Sequence, residues 1–455
     1  MSAQATCAFL DKNYFDELCR RAFAELKEGE NLFVRLSAES SQFVRINGAR
    51  VRQSGLVEDA HLGFTFVLRS QQGELRQASR TITLSGLSYV DQESVRGALH
   101  ALQKEVPMLP VDPFAQLPKN PGSSHAEKKG ALLPVEAAAE TLLTPLKGVD
   151  LAGIYAAGPV VRAMANSAGL SHWFSTETFS LDYSLYTPGQ RALKGTFAGT
   201  QWNAAEYARS IEGAVQRLKL MERKSLEIPR GAPRVYLAPA ALGNLIAMFS
   251  WGTVSEASLR QGDSSLRLVR SGEKKFSPRF SLAEDFRGGE IPRFNEEGEL
   301  APEFLPLISE GQLKNTLVSA RTAQEYGAAS NGAAQSETLR TPVVAPGSLA
   351  EVDILKRLDT GLYLSNLHYL NWSDKPGGRV TGMTRYACFW VEKGQIVAPI
   401  ENMRFDDSIF SLLGGALEEL TSQQEYLPEV GTYGLRELGG MRVPGALLSE
   451  MKFTI

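Results

Sequence analysis

Between residues 106 and 134 the chain carries Pro107, Pro110, Pro113, Pro118, Pro121 and Pro134, with Gly122, Ser123 and Ser124 among them. Each proline removes a backbone donor and fixes its own φ, so neither a helix nor a central strand can run through this stretch. A long loop or interdomain arm is expected there, dividing the periodic segments on either side. At 455 residues the chain exceeds the roughly 100–200 of a typical single domain, so two domains are expected.

Upstream of the arm, Phe15, Leu18, Ala22, Phe23 and Leu26 fall at helical spacing and predict an amphipathic helix over 13–26. The texture then changes to short β-rich runs at 32–36, 42–46, 49–53, 63–69 and 80–84, punctuated by Asn47-Gly48 and Gln72-Gly73. That pattern predicts consecutive antiparallel hairpins. Asp91 is placed to cap a helix to about residue 105 whose apolar face is Val95, Leu99 and Leu102. After the arm, a short helix at 135–146 precedes strands near 153–165, 174–186 and 194–200. Tyr207, Ile211, Val215 and Leu218 then form one stripe of a helix over 203–221.

Proline, glycine and basic residues at 228–233 mark the expected boundary between an N-terminal α+β domain (1–230) and a β-rich C-terminal domain (231–455). A strand at 234–237 is followed by Pro239, which opens a mostly apolar and therefore buried helix through Leu242, Leu245, Ile246 and Phe249. Residues 262–298 are irregular and polar, and read as a surface excursion before strands at 305–309 and 313–319. Ser348 and Glu351 have capping-box spacing for a helix that ends before Gly361. The clearest strand signals are 361–372, 379–392 and 395–403. The run from Tyr386 to Val391 is apolar on both faces, as in a central strand. The fold class is thus α+β, with N-terminal antiparallel hairpins and helices and a C-terminal antiparallel sheet.

Several function classes are excluded by composition. Lys and Arg total 48 against 51 Asp and Glu, a net charge of −3, so no bulk attraction to nucleic acid is expected. No run nears the roughly 18 apolar residues of a membrane span. The first thirty residues lack an apolar signal core, and Cys7, Cys19 and Cys388 have no metal-like spacing, so a reducing cytoplasm is expected. His61, His100, His125, His172 and His368 form no helical pair that holds a metal. Phosphate-binding and dinucleotide glycine motifs and the Gly-x-Ser-x-Gly elbow are absent.

Two nucleophile pairs remain open for an independent hydrolase. Ser271 and Lys274 have the spacing of a Ser/Lys pair but lie in a charged loop, and Cys388 with His368 would place a thiol in the most apolar run of the chain. The polar and aromatic mixture of Asn366, His368, Trp372 and Arg385 on expected strands makes these four the candidates for a peptide groove.

The ordered blocks Ile308-Ser-Glu-Gly-Gln-Leu-Lys314, Ala320-Arg-Thr-Ala323, Gly327-Ala-Ala-Ser-Asn-Gly332, Pro346-Gly347, Gly361-Leu-Tyr-Leu364, Val391-Glu-Lys-Gly394 and Pro399-Ile-Glu-Asn-Met403 resemble the TldD/PmbA family. The resemblance covers roughly residues 300–455 and extends more loosely upstream. It implies a two-domain α+β protein whose dimer encloses a cavity where unfolded peptides are cut. In the TldD branch, a helical His-Glu-x-x-x-His motif and a cysteine near the C-terminus hold zinc, and the Glu acts as general base. Laid over this chain, the motif falls on the helix near 245–251, where Ile246 and Trp251 occupy the His positions and Ala247 the Glu position. No histidine lies between His172 and His368, and no cysteine follows Cys388, so no register restores the ligands.

The resemblance therefore points to the PmbA or TldE branch, with no catalytic residue and no cofactor in this chain. It implies a non-catalytic subunit of a peptidase acting on unfolded peptides, with zinc in a TldD-like partner. The rival is a metal-free homodimer that binds peptides or acts as a scaffold.

Overall fold

A computed structural model describes residues 7–146 and 148–454 of the chain. Two strands dominate its first half: β1 (Glu30–Asn47) and β2 (Arg50–Arg69), 18 and 20 residues long. Each absorbs two of the shorter runs expected from sequence. In β1 the polar segment Ser37-Ala-Glu-Ser-Ser41 keeps the period of two instead of breaking it. Leu32, Val34, Leu36 and Ala38 face one way, and Arg35, Ser37, Glu39 and Ser41 the other. Gly48 and Ala49, with φ of 59° and 50°, close β1 onto β2 in a two-residue turn whose twist suits the ribbon.

Five further strands complete this sheet: β3 (Leu75–Thr83), β4 (Ser124–Lys128), β5 (Asp150–Asn166), β6 (Ser171–Tyr186) and β7 (Ala192–Gly199). The order is β3-β2-β1-β5-β6-β4, and β7 also pairs with β6. The proline-rich arm is thus not all loop, because β4 adds to β6 in parallel.

Helices α1 (Lys12–Ala24) and α2 (Ser88–Glu105) bury Phe15, Leu18, Leu99 and Leu102 against the apolar side of β1 and β2. Asp91 does not cap α2. It lies buried within the first turn, where its carboxylate accepts from the backbone N–H of Ser85 and Gly86 and from the Tyr14 hydroxyl. Helices α3 (Val135–Leu143) and α4 (Ala204–Leu220) cover the far half of the sheet. Asn203 caps α4 by accepting from the N–H groups of Ala205 and Glu206.

The second half contains β8 (Val235–Leu237), β9 (Leu282–Asp285), β10 (Phe304–Ser309), β11 (Gln312–Leu313), β12 (Pro342–Val344), β13 (Gly361–Leu364), β14 (Asn366–Asp374), β15 (Arg379–Arg385), β16 (Phe389–Glu392), β17 (Gln395–Pro399), β18 (Arg404–Ser408), β19 (Leu417–Pro428) and β20 (Gly440–Leu448). Ten of these form one sheet, ordered β11-β10-β9-β12-β20-β8-β13-β16-β17 with β19 beside β20. A separate sheet is β14-β15-β18. Pairing is mainly antiparallel, but β8 with β13 and β12 with β20 run parallel. Helix α5 (Pro239–Ala247) is buried on this core, as its apolar run predicts.

Three expectations need correction here. The runs at 361–372 and 379–392 each break in two, at Ser365 and at Tyr386-Ala387-Cys388, and their halves enter different sheets. The region 262–298 is not a surface excursion: Phe276, Phe280 and Leu282 are core residues, and β9 sits inside the large sheet. The capping box at Ser348 does not form. Ala350 occupies the cap of a short 3-10 turn at Glu351–Asp353 without a side-chain bond. Among the described residues, no helix is long and apolar enough to cross a membrane.

Candidate functional site

Where the N-terminal sheet faces the C-terminal half there is a cleft of about 770 Å³. Arg35 and Ser37 of β1 and Arg162 and Met164 of β5 form its floor. Strand register explains their meeting: Arg35 pairs with Met164 and Ser37 with Arg162, so the two arginines are diagonal neighbours on one face. The opposite wall consists of Ala247, Ser250 and Trp251 at the end of α5, the segments around Phe294 and Arg340, and Glu429 and Glu437 of the loop joining β19 to β20.

That loop is pinned to the N-terminal sheet by Arg436, which is only 4% exposed. Its guanidinium donates to Ser41 Oγ (3.1 Å), to the Gly158 carbonyl (3.2 Å) and to the Thr178 carbonyl (3.0 Å). The pairing of β1 with β5 lapses at Ser40 and Ser41, opposite Pro159 and Gly158, where proline has no N–H to give. The Gly158 carbonyl is left for the arginine. Arg162 in turn donates to the Arg436 carbonyl at 2.7 Å. A second cavity of about 440 Å³ lies on the other side of the loop and shares Glu429, Glu437 and Leu438 with the first.

The cleft is electrostatically strained. Glu39 is completely buried beneath the floor; Ser41 Oγ donates to one carboxylate oxygen, and the other finds no hydrogen-bond partner among the described residues. Arg162 and Arg436 supply the compensating charge, and burial lowers both guanidinium pKa values, Arg436 to about 10, so both stay charged at neutral pH. Behind the facing wall burial pushes Glu297 up to about 7, helped by neighbouring Glu296 and opposed by Arg35, and pushes Glu284 up to about 7 against the opposing Arg340. Glu429 is raised by burial and by the Glu437 carboxyl beside it.

The positions to which the resemblance assigns the metal motif lie at this cleft. Ala247 and Trp251 line it, and Trp251 is 51% exposed, whereas Ile246 is wholly buried in the core behind. None of the three has an atom that ligates zinc, so the helix end does not fit the metal. Among the described residues, no group of three or more His, Cys, Asp or Glu side chains is arranged to hold a metal ion.

Residues 230–455 match the family model of the PmbA/TldA metallopeptidase C-terminal domain. The chain belongs to the TldD/PmbA family. Its fold is similar to that of a proposed modulator of a DNA gyrase from Thermotoga maritima (TM-score 0.75, 16% identity, covering 97% of this chain and 100% of that one). It is also similar to TldE from Thermococcus kodakarensis (0.74, 15%, 97% and 100%) and to a proposed modulator of DNA gyrase from Bacteroides thetaiotaomicron (0.72, 14%, 97% and 98%). At these identities the likeness concerns the fold. A search of curated proteins finds no significant match.

Within this TldD/PmbA fold, the four expected groove residues do not converge on the cleft. Asn366 pairs with Arg385 across β14 and β15, and His368 with Met383, so Asn366, His368 and Arg385 share one face of the small sheet. A bulge follows at Tyr369, with φ of 50°, and reverses the alternation. Trp372 thereby comes opposite buried Val380 and packs toward the main core, away from the other three. The His368 pKa is lowered by partial burial and by Arg385.

Neither alternative nucleophile is poised. Cys388 lies outside the strands, burial raises its pKa, and its thiol donates to the Arg385 carbonyl at 3.2 Å. Ser271 is hydrogen-bonded to Glu273 at 2.8 Å rather than to Lys274.

Arg35, Ser37, Glu39, Arg162 and Arg436 escaped the sequence reading. For the first three the signal was present: strict alternation from Val34 to Glu39, hidden by treating the polar middle as a break. Nothing local marks Arg436, whose role depends on a carbonyl far away on β5.

Proposed function

We propose that this chain is the non-catalytic subunit of a TldD/PmbA-type metallopeptidase assembly, holding unfolded peptides while a zinc-bearing relative cuts them. The observation that carries this reading is the wall of the large cleft. At the end of α5, Ala247 and Trp251 stand at the motif positions and line the cleft, but offer no zinc ligand and no proton acceptor. A cavity within the roughly 300–1,000 Å³ of ligand sites is retained next to a helix without catalytic groups. The fold likeness to TldE supports the same branch.

The test is purification of the tagged chain at native expression, with zinc measured and an unfolded peptide offered. The expected result is an equimolar zinc-bearing relative in the complex and cleavage only when that relative is present. Stoichiometric zinc and cleavage by the isolated chain would sink the proposal. A metal-free homodimer alone would replace it with a binding or scaffold role.

A further inference from the structure

Among the arginines with no salt-bridge partner among the described residues are Arg35, Arg162, Arg340 and Arg436. All four stand at or directly behind the large cleft. Two of them are committed to structure. Arg340 donates to the carbonyls of Phe294, Arg293 and Gly332 and lies 4.7 Å over the Phe286 ring, and Arg436 pins the loop. Arg35 and Arg162 differ. Arg35 makes one hydrogen bond, to Thr65 Oγ1 at 3.2 Å, and Arg162 two, to the carbonyls of Val161 and Arg436. A guanidinium has five N–H donors, so most of the capacity of Arg35 and part of that of Arg162 remain for a ligand.

The two are diagonal neighbours across β1 and β5, and the Ser37 residue directly opposite Arg162 lines the cleft between them. We propose that Arg35, Ser37 and Arg162 form a carboxylate-binding site, so that the peptide held in the cleft is anchored by a free C-terminus or by an acidic side chain. Paired guanidinium forks on a rigid sheet match the planar geometry of a carboxylate, and their partial burial strengthens each charge-assisted bond relative to water.

The acidic groups of the cleft do not cancel this site. Glu296, Glu429 and Glu437 belong to the opposite wall and the loop; Glu297, the carboxyl that feels Arg35, is pushed up to about 7 by burial and by Glu296, Glu437 acts on Arg162 from the loop, and Glu429 is held toward its protonated form by burial and by Glu437. Glu39 is engaged beneath the floor by Ser41 and by the charges of Arg162 and Arg436. Beside apolar groups such as Met164, the floor presents positive charge and a hydroxyl to the cleft.

This site rests on the reading of the cleft as a peptide holder, and one experiment separates the two. A labelled unstructured peptide is titrated against the full chain in three forms: free C-terminal carboxylate, C-terminal amide, and the amide with one internal Glu. At about 0.15 M salt exposed charges beyond roughly 8 Å are screened, so distant surface charge contributes little.

At least one carboxylate form is expected to bind about tenfold or more tighter than the plain amide, and the form that does so identifies the source. Arg35→Gln and Arg162→Gln should each collapse that ratio toward one, while Arg20→Gln on α1 should keep it. Arg35→Gln breaks a single hydrogen bond, and the comparison of peptides alone tests the site without touching the fold. Equal binding of all three forms would overturn the carboxylate site and leave peptide holding intact. Binding of none would overturn both.

Discussion

The two faces of the N-terminal sheet are built from the same strands and obey opposite rules. On one face Leu32, Val34, Leu36, Leu62, Phe64 and Phe66 meet α1 and α2 in a closed apolar core. On the other, one position away, Glu39 is buried and Arg35, Ser37 and Arg162 are half-buried, and the second half of the chain reaches this face through Arg436. Burial of a Phe or Leu side chain contributes about 1.5–3 kcal/mol, whereas a buried charge contributes only when its partners are in place. The apolar face should therefore govern whether the sheet folds, and the polar face how the two halves are joined.

The strongest way to break this comparison is Phe64→Ala. Phe64 is fully buried, so its truncation should cost about 3–5 kcal/mol by urea titration. A loss below about 1 kcal/mol would show the helix-covered face to be dispensable.

Next comes Arg436→Met, which removes four bonds to the sheet and leaves Glu39 buried with less positive charge nearby. A loss of about 3 kcal/mol is expected, with new protease cuts in the loop at 429–439. Unchanged stability would mean that the loop does not join the halves.

The carboxyl of Glu284, behind the cleft wall, should also titrate where the apolar face does not. Burial pushes the Glu284 carboxyl up to about 7, above its ordinary 4.5, so the folded state binds more protons between these values. Stability should then fall as pH rises from about 5 to 7, by on the order of 1–3 kcal/mol. Glu284→Gln retains an acceptor for the Arg340 and Thr341 N–H groups and should flatten that slope. An unaltered slope would assign the titration elsewhere.

The smallest effect is expected at Asn203→Ala, which removes the cap of α4. It should cost about 1 kcal/mol and leave peptide affinity unchanged, and calorimetry together with the binding assay would check this.

Periodicity made α1 and α4 legible, because a single amphipathic face repeats along each; α5 was legible from its apolar run, and β1 and β2 only as shorter runs within them. Asn47-Gly48 also marked the turn, whose two loop residues are Gly48 and Ala49. The absence of a zinc motif was readable too, since no folding of Ile246, Ala247 and Trp251 creates a ligand. Sequence could not separate β13 from β14 or β15 from β16, for each pair is one continuous β-prone run and only packing decides which sheet receives each half. Nor could it show that Trp372 turns from the face of His368, which one bulge at Tyr369 determines. The cleft itself belonged wholly to tertiary structure. Alternation along β1 fixed that Arg35 and Ser37 share a face, but their meeting with Arg162, and the clamp of Arg436 on Gly158, required strands far apart in the chain to pair.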